Sequence, residues 1–137
     1  MKFVSPNRLS KRQHDAMFKP LTTAMIAFRM GRAQSEHYHE IANAVMYADA
    51  IAELVARNRH VRGDLKGSMS ALNSIFHRQK QRTIADAPWS GTPDEVDEIE
   101  LGVEIYKALV TTTPGKVLRR AMTRYSNRVE AAFKARC

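Results

Sequence analysis

TPDEVDEIELGVEIYKALV, residues 92–110, states the fold class of this chain more clearly than any other stretch. Thr92 is a capping residue whose hydroxyl accepts a free backbone N–H. Pro93 stands at the first helical position, where its missing donor costs nothing, and Glu95 follows the threonine by three to complete a capping box. Val96, Ile99, Val103, Tyr106 and Val110 then recur at spacings of three and four, with Leu101, Ile105 and Leu109 alongside. That is the period of a helix with one buried face, not the alternation of a strand.

Reading toward the C-terminus, Thr113-Pro114 repeats the cap-plus-proline device for a fifth helix carrying Leu118, Met122, Tyr125, Val129 and Phe133. Toward the N-terminus, Asp64 is the expected cap of a third helix from Leu65 to about Arg82, with Leu65, Met69, Leu72 and Phe76 turned inward. A second helix is expected from Glu36 to Arg57 with Ser35 as cap. Its stripe of Tyr38, Ile41, Val45, Ala48, Ala52 and Val55 is widened by Ala42, Met46, Ile51 and Leu54, which predicts a central helix touched by several neighbours. A first helix spans Ser10 to Met30. Ser10 and Gln13 form its capping box, Leu21, Met25 and Phe28 share a face, and Gly31 supplies a stop. Pro20 predicts a break or kink near Lys19. Trp89, in the link Thr83–Gly91, is expected to pack over the bundle as a plug. Only Phe3–Val4 reads ambiguously as strand. These signals predict an all-α fold, a compact bundle of about five helices in a single domain over 1–137, with 1–9 a flexible basic segment.

The hydrophobic share of 44% in 137 residues suffices for one core. The longest apolar runs, such as Ile41–Met46, fall far short of a membrane span, and no secretory signal surrounds the basic residues of the N-terminus. Cys137 is the single cysteine, so no intrachain disulfide is available and a reduced cytoplasm is the expected setting.

Charge is the more telling property. The net charge is +8, which suggests attraction to a polyanion. Between Arg57 and Arg82 stand seven basic residues against Asp64 alone, while 86–104 carries seven acidic residues and no basic one. In the last helix Lys116, Arg120, Arg124 and Arg128 recur every four residues, with Arg119 beside them. A ridge of cations about 6 Å apart can follow a phosphate backbone. The same ridge is more readily read as a solvated face, or one neutralised by the acidic first turns of the fourth helix, since charge runs are usually just solvated. The expected nucleic-acid contacts are Lys116, Arg119, Arg120, Arg124 and Arg128, helped by Arg78, Lys80 and Arg82. The best candidate for a helix-turn-helix is the pair Ile51–Arg57 and Leu65–Phe76. The joint Asn58–Asp64 reads as about seven residues, longer than the usual turn, although the following helix is expected to expose Lys66, Ser68, Ser70, Asn73 and Ser74, which could read bases.

Catalytic chemistry finds little footing. In Glu36-His37-Tyr38-His39-Glu40, His37 and Glu40 share a face but His37 and His39 diverge, and no second cluster completes a zinc site. A polar first turn explains that segment better. Gly63 and Gly67 lack the lysine–hydroxyl pair of a P-loop, and no elbow-like turn carries a nucleophile. Arg62-Gly63-Asp64 spells an integrin tripeptide by coincidence. His60, His77 and His14 read as surface groups, and Cys137 lacks a nucleophile's setting. The expectation is no enzyme, no metal and no cofactor.

Phe18–Arg82 resembles a group of small, poorly characterised helical proteins of β-proteobacteria and their phages. The resemblance lies in Pro20-Leu21 with Ala27-Phe28-Arg29-Met30-Gly31, in Ile41-Ala42-Asn43-Ala44 with Ala48, and in Ser74-Ile75-Phe76-His77-Arg78. Trp89 to about Arg124 fits the same layout. Members are sometimes automatically labelled Fis-like regulators, a label that brings no catalytic or base-reading residues with it. The resemblance implies a bacterial or phage cytoplasmic setting. The two expectations for function are a DNA- or RNA-associated accessory protein and a protein-interaction module. The latter would dock on a host protein partner or form a homo-oligomer, using the acidic face and the seven methionines.

Overall fold

A computed structural model describes residues 10–55, 59–84 and 87–135, apart from the side chain of Phe133. Among them are five helices: α1 (Lys11–Arg29), α2 (Ser35–Val55), α3 (Arg59–Lys80), α4 (Pro93–Thr112) and α5 (Gly115–Ala135). They form a compact all-α bundle. The expected segment 1–9 and Cys137 lie outside the described residues. No described helix is long and apolar enough to cross a membrane.

The end signals worked where cap and period agreed. At the start of α4 the Thr92 hydroxyl accepts from the Glu95 N–H at 3.2 Å, and the Glu95 carboxylate accepts from the Thr92 N–H at 2.8 Å. Ser10 and Gln13 form the same reciprocal pair before α1. Gly31, at φ +68°, closes α1 with a Schellman motif in which the Arg32 N–H bonds the Ala27 carbonyl at 2.8 Å.

Four expected boundaries are corrected. Pro20 does not break α1, which continues through it. Phe18 and Leu21, on either side of the proline, both enter the core, and the carbonyl it leaves unpaired belongs to the exposed Ala16. Ser35 is the first residue of α2 rather than its cap. The entry is closed instead by His37, whose Nδ1 accepts the Gln34 N–H at 2.9 Å, so the histidine works as local structure. Asp64 does not cap α3, which begins at Arg59, so the seven-residue joint shrinks to residues 56–58, outside the described residues. Thr113 ends α4, with its N–H on the Leu109 carbonyl at 2.9 Å and the extended backbone that a following proline imposes.

As the broad apolar surface predicts, α2 lies at the centre and packs on α1, α3, α4 and α5. Ile41, Val45, Ala48 and Ile51 are fully enclosed there, whereas Met46 and Val55 are exposed. On α3 the buried line is Leu65, Ser68, Ala71, Leu72 and Ile75, with Met69 and Phe76 only half-buried. Ser68 was expected to point outward. It is enclosed, and its hydroxyl donates to the Glu98 carbonyl at 2.6 Å. Opposite it is Gly102, where an added Cβ would fall 2.6 Å from the Ser68 Oγ. A serine against a glycine thus brings α3 and α4 into close contact. Leu101, placed by the spacing beside the buried face of α4, is exposed instead.

Trp89 is the plug that its position suggests. Its ring stacks on Tyr38 at 4.6 Å between centroids, beside Phe76 and His39, and its N–H bonds the Ala33 carbonyl at 2.8 Å. Burial pushes the Tyr38 hydroxyl up from its ordinary pKa, so it stays protonated and donates to the Leu72 carbonyl.

Candidate nucleic-acid interface

The expected contact residues divide into two groups that lie far apart. Arg78, Lys80 and Arg82 stand at the C-terminal end of α3, and all three act within the fold. Arg78 forms a two-pronged pair with Glu95 and also donates to the Ser90 carbonyl at 3.1 Å. Arg82 donates to the Pro88 carbonyl and the Ser90 hydroxyl. The Lys80 ammonium sits 4.6 Å from the centre of the Phe76 ring. The two arginines bond the link that carries Trp89. The pairing with Arg78 holds the Glu95 carboxyl below its ordinary pKa, helped by hydrogen bonds from Thr92.

The other end of α3 behaves differently. Arg62 lies about 24 Å along the helix from Arg78, by the rise of 1.5 Å per residue. There it meets α5 over two carboxylates of α2. Glu53 accepts from Arg124 at 3.2 Å and from Arg128, and Arg62 stands 3.8 Å away. Arg128 also faces Asp49 at 3.7 Å, and Lys66 acts on Asp49 electrostatically. The carboxylates are recessed, with side chains 21% and 16% exposed for Glu53 and Asp49, while the three guanidiniums above them are about half exposed. Four cations over two carboxylates leave a local charge of +2. Burial, then Glu53, raises the Asp49 pKa above its ordinary value despite Arg62, Arg128 and Lys66.

Two phenols set α5 in place. The Tyr47 hydroxyl donates to the Leu118 carbonyl at 2.8 Å, and the Tyr125 hydroxyl donates to the Asn43 Oδ1 at 2.6 Å. Burial and the neighbouring Tyr106 push the Tyr47 hydroxyl up to about 12, so this donor persists at any ordinary pH. Leu118 and Ala121 are enclosed, and α5 packs chiefly on α2. Lys116, Arg119 and Arg120 continue the basic ridge on the exposed side toward the helix start.

The acidic helix does not neutralise that ridge, contrary to the alternative the charge pattern offered. Its carboxylates face other partners: Asp97 and Glu100 pair with Arg29 of α1, Glu95 with Arg78, and Glu104 with Lys107. Asp49 and Glu53 were missed because they sit on the most apolar helix. The available signal was their spacing of four, matched by the spacing of Arg124 and Arg128. No group of three or more metal-ligating side chains exists among the described residues. Compared with protein-family models, curated proteins and solved structures, the chain matches none.

Proposed function

We propose that the chain is a non-enzymatic, nucleic-acid-associated accessory or regulatory protein that binds a phosphate backbone through the face shared by α3 and α5. The observation that carries this reading is the convergence of Arg62 and Lys66 with Arg124 and Arg128, two basic segments distant in sequence, around Glu53 and Asp49. The guanidiniums of Arg62, Arg124 and Arg128 are about half exposed above their recessed carboxylates, so a phosphate can reach them where they stand. Lys116 and Arg120, both exposed, extend the row. The resemblance to small phage and β-proteobacterial proteins fits a role on a mobile element.

Binding of the full chain to a fluorescent 20-base-pair DNA, followed by anisotropy across a salt series, tests this. Four phosphate contacts predict a slope of about −3 to −4 in log affinity against log salt. Absence of binding to duplex or single-stranded nucleic acid at low salt overturns it.

A second reading, self-association or docking on a host protein, draws on Met122 and Val129, which lie 46% and 43% exposed on the apolar side of α5. A concentration-dependent dimer in sedimentation that does not bind nucleic acid is the outcome it requires.

A further inference from the structure

We propose that the partner is B-form duplex DNA, with the outward surface of α3 in the major groove and Arg124 and Arg128 of α5 on the flanking phosphates. This rests on the polyanion-binding reading above and names the form of the polyanion. The buried line of α3 runs through Leu65, Ser68, Leu72 and Ile75. At 100° per residue the opposite side presents Arg59, Gly63, Lys66, Ser70, Asn73 and Ser74, all exposed. Arg62 borders that side and joins it to the α5 cluster. No acidic and no large apolar residue falls on it; Asp64 lies well round toward the buried line.

A helix with its side chains is about 10–12 Å across, and the major groove of B-DNA is about 12 Å wide. Arg59 and Lys66 stand near the centre of that surface, with the short, polar Ser70, Asn73 and Ser74 beside them, so polyanion attraction and base contact draw on the same face. Asn73 carries the paired donor and acceptor that the adenine edge matches, and Arg62 and Lys66 suit guanine. Gly63 points the same way. Glycine is a poor residue inside a helix, and the other two glycines of the α3–α4 seam have packing reasons: a Cβ on Gly67 would meet the Glu98 carboxylate, and one on Gly102 would meet Ser68. At Gly63 nothing lies within 4 Å of an added Cβ and its φ is not positive, so the fold makes no demand for glycine there. A bulky partner lying close on α3 supplies that demand. An A-form RNA duplex has a deep, narrow major groove that admits no helix, so the two duplexes discriminate the proposal from simple charge attraction.

The test compares anisotropy of the full chain on DNA duplex, RNA duplex of the same sequence and single-stranded DNA at one salt concentration, for wild type and Gly63→Gln. Glutamine favours the helix and meets open space, so unfolding temperature serves as the folding control. The expected results are DNA duplex bound about tenfold or more tighter than RNA duplex, and a Gly63→Gln loss of about tenfold on DNA duplex with thermal stability equal to or above that of the wild type. Equal binding of both duplexes, or unchanged DNA affinity in the variant, overturns the groove proposal while leaving the polyanion reading standing. No binding to any of the three removes that reading itself.

Discussion

The two seams that α3 and α5 make with the rest of the bundle are built on opposite principles. Between α3 and α4 the contact is close and mostly satisfied within the fold: Ser68 lies against Gly102, its hydroxyl on the Glu98 carbonyl, and Arg78 is locked to Glu95. Between α2 and α5 two phenols and a few small side chains make the contact, and charged groups border it on the solvent side. Both seams hold arginines against carboxylates, yet they differ in what surrounds the pairs. Arg78 also bonds the backbone of the link to Trp89, so losing it loosens a structural element. Arg124 and Arg128 bond only side chains, in a cluster where cations outnumber carboxylates. An arginine in this protein is therefore read by its second partner. One seam holds the fold together and the other keeps charge available.

The largest effect expected from breaking this contrast is on the closed seam. Gly102→Ala places a Cβ 2.6 Å from the Ser68 Oγ and 3.0 Å from Val45, with no flexible chain end to yield. It should cost about 2–3 kcal/mol in denaturant unfolding. Ser68→Ala combined with Gly102→Ala should recover part of that loss, because the clashing oxygen is gone. A neutral Gly102→Ala would show that the helices do not approach as closely as described.

Next comes the open seam. Arg124→Ala with Arg128→Ala should lower duplex affinity about tenfold near 0.1 M salt and flatten the salt slope by about 2. The unfolding temperature should move little, since α5 keeps Leu118, Ala121 and both phenol bonds. Arg78→Ala should do the reverse. It removes a charge-assisted pair and a backbone bond at a half-exposed site, costing about 1 kcal/mol of stability with DNA affinity nearly unchanged. Equal affinity losses in the two variants would erase the distinction between the seams.

Sequence made one of these seams readable and left the other obscure for a physical reason. The Thr92-Pro93-Asp94-Glu95 cap and the period of Val96, Ile99 and Val103 are local signals, fixed by bonds within a few residues, and they place the start of α4 to the residue. Ends governed by tertiary contact were misplaced: Asp64 looks like a cap but lies inside a helix. The basic ridge of α5 was visible from its spacing of four. Its neutralising partners were not, because the nearest acidic run in sequence, 94–104, pairs with α1, α3 and its own helix. The carboxylates that reach the ridge are some 70 residues away in the chain. The different surroundings of Arg78 and Arg124 are hidden for the same reason, since only the fold reveals that Arg78 is bound to the Ser90 carbonyl.

The smallest effect, and the sharpest in sign, lies in the two seams' carboxylates. Glu95 has its pKa lowered from 4.5, first by the Arg78 hydrogen bond, so its ionised form stabilises the fold above that value and the contribution is lost as pH falls through the lower folded pKa. Asp49 has its pKa raised from 3.8, first by burial, so the unfolded chain ionises before the folded one and stability is lost as pH rises from 3.8 through the folded pKa. Above that point the penalty is constant. Glu95→Gln should therefore be less stable than wild type at neutral pH, and Asp49→Asn slightly more stable. Both differences should shrink toward zero in acid, where the native carboxylates are protonated and resemble their amide replacements. Unfolding free energies measured from pH 3 to 7, a range chosen to bracket the ordinary carboxylate values near 4, read the two slopes directly. Slopes of the same sign would mean that the recessed Asp49 is governed by its cations rather than by its burial, and the open seam would then be as tightly paired as the closed one.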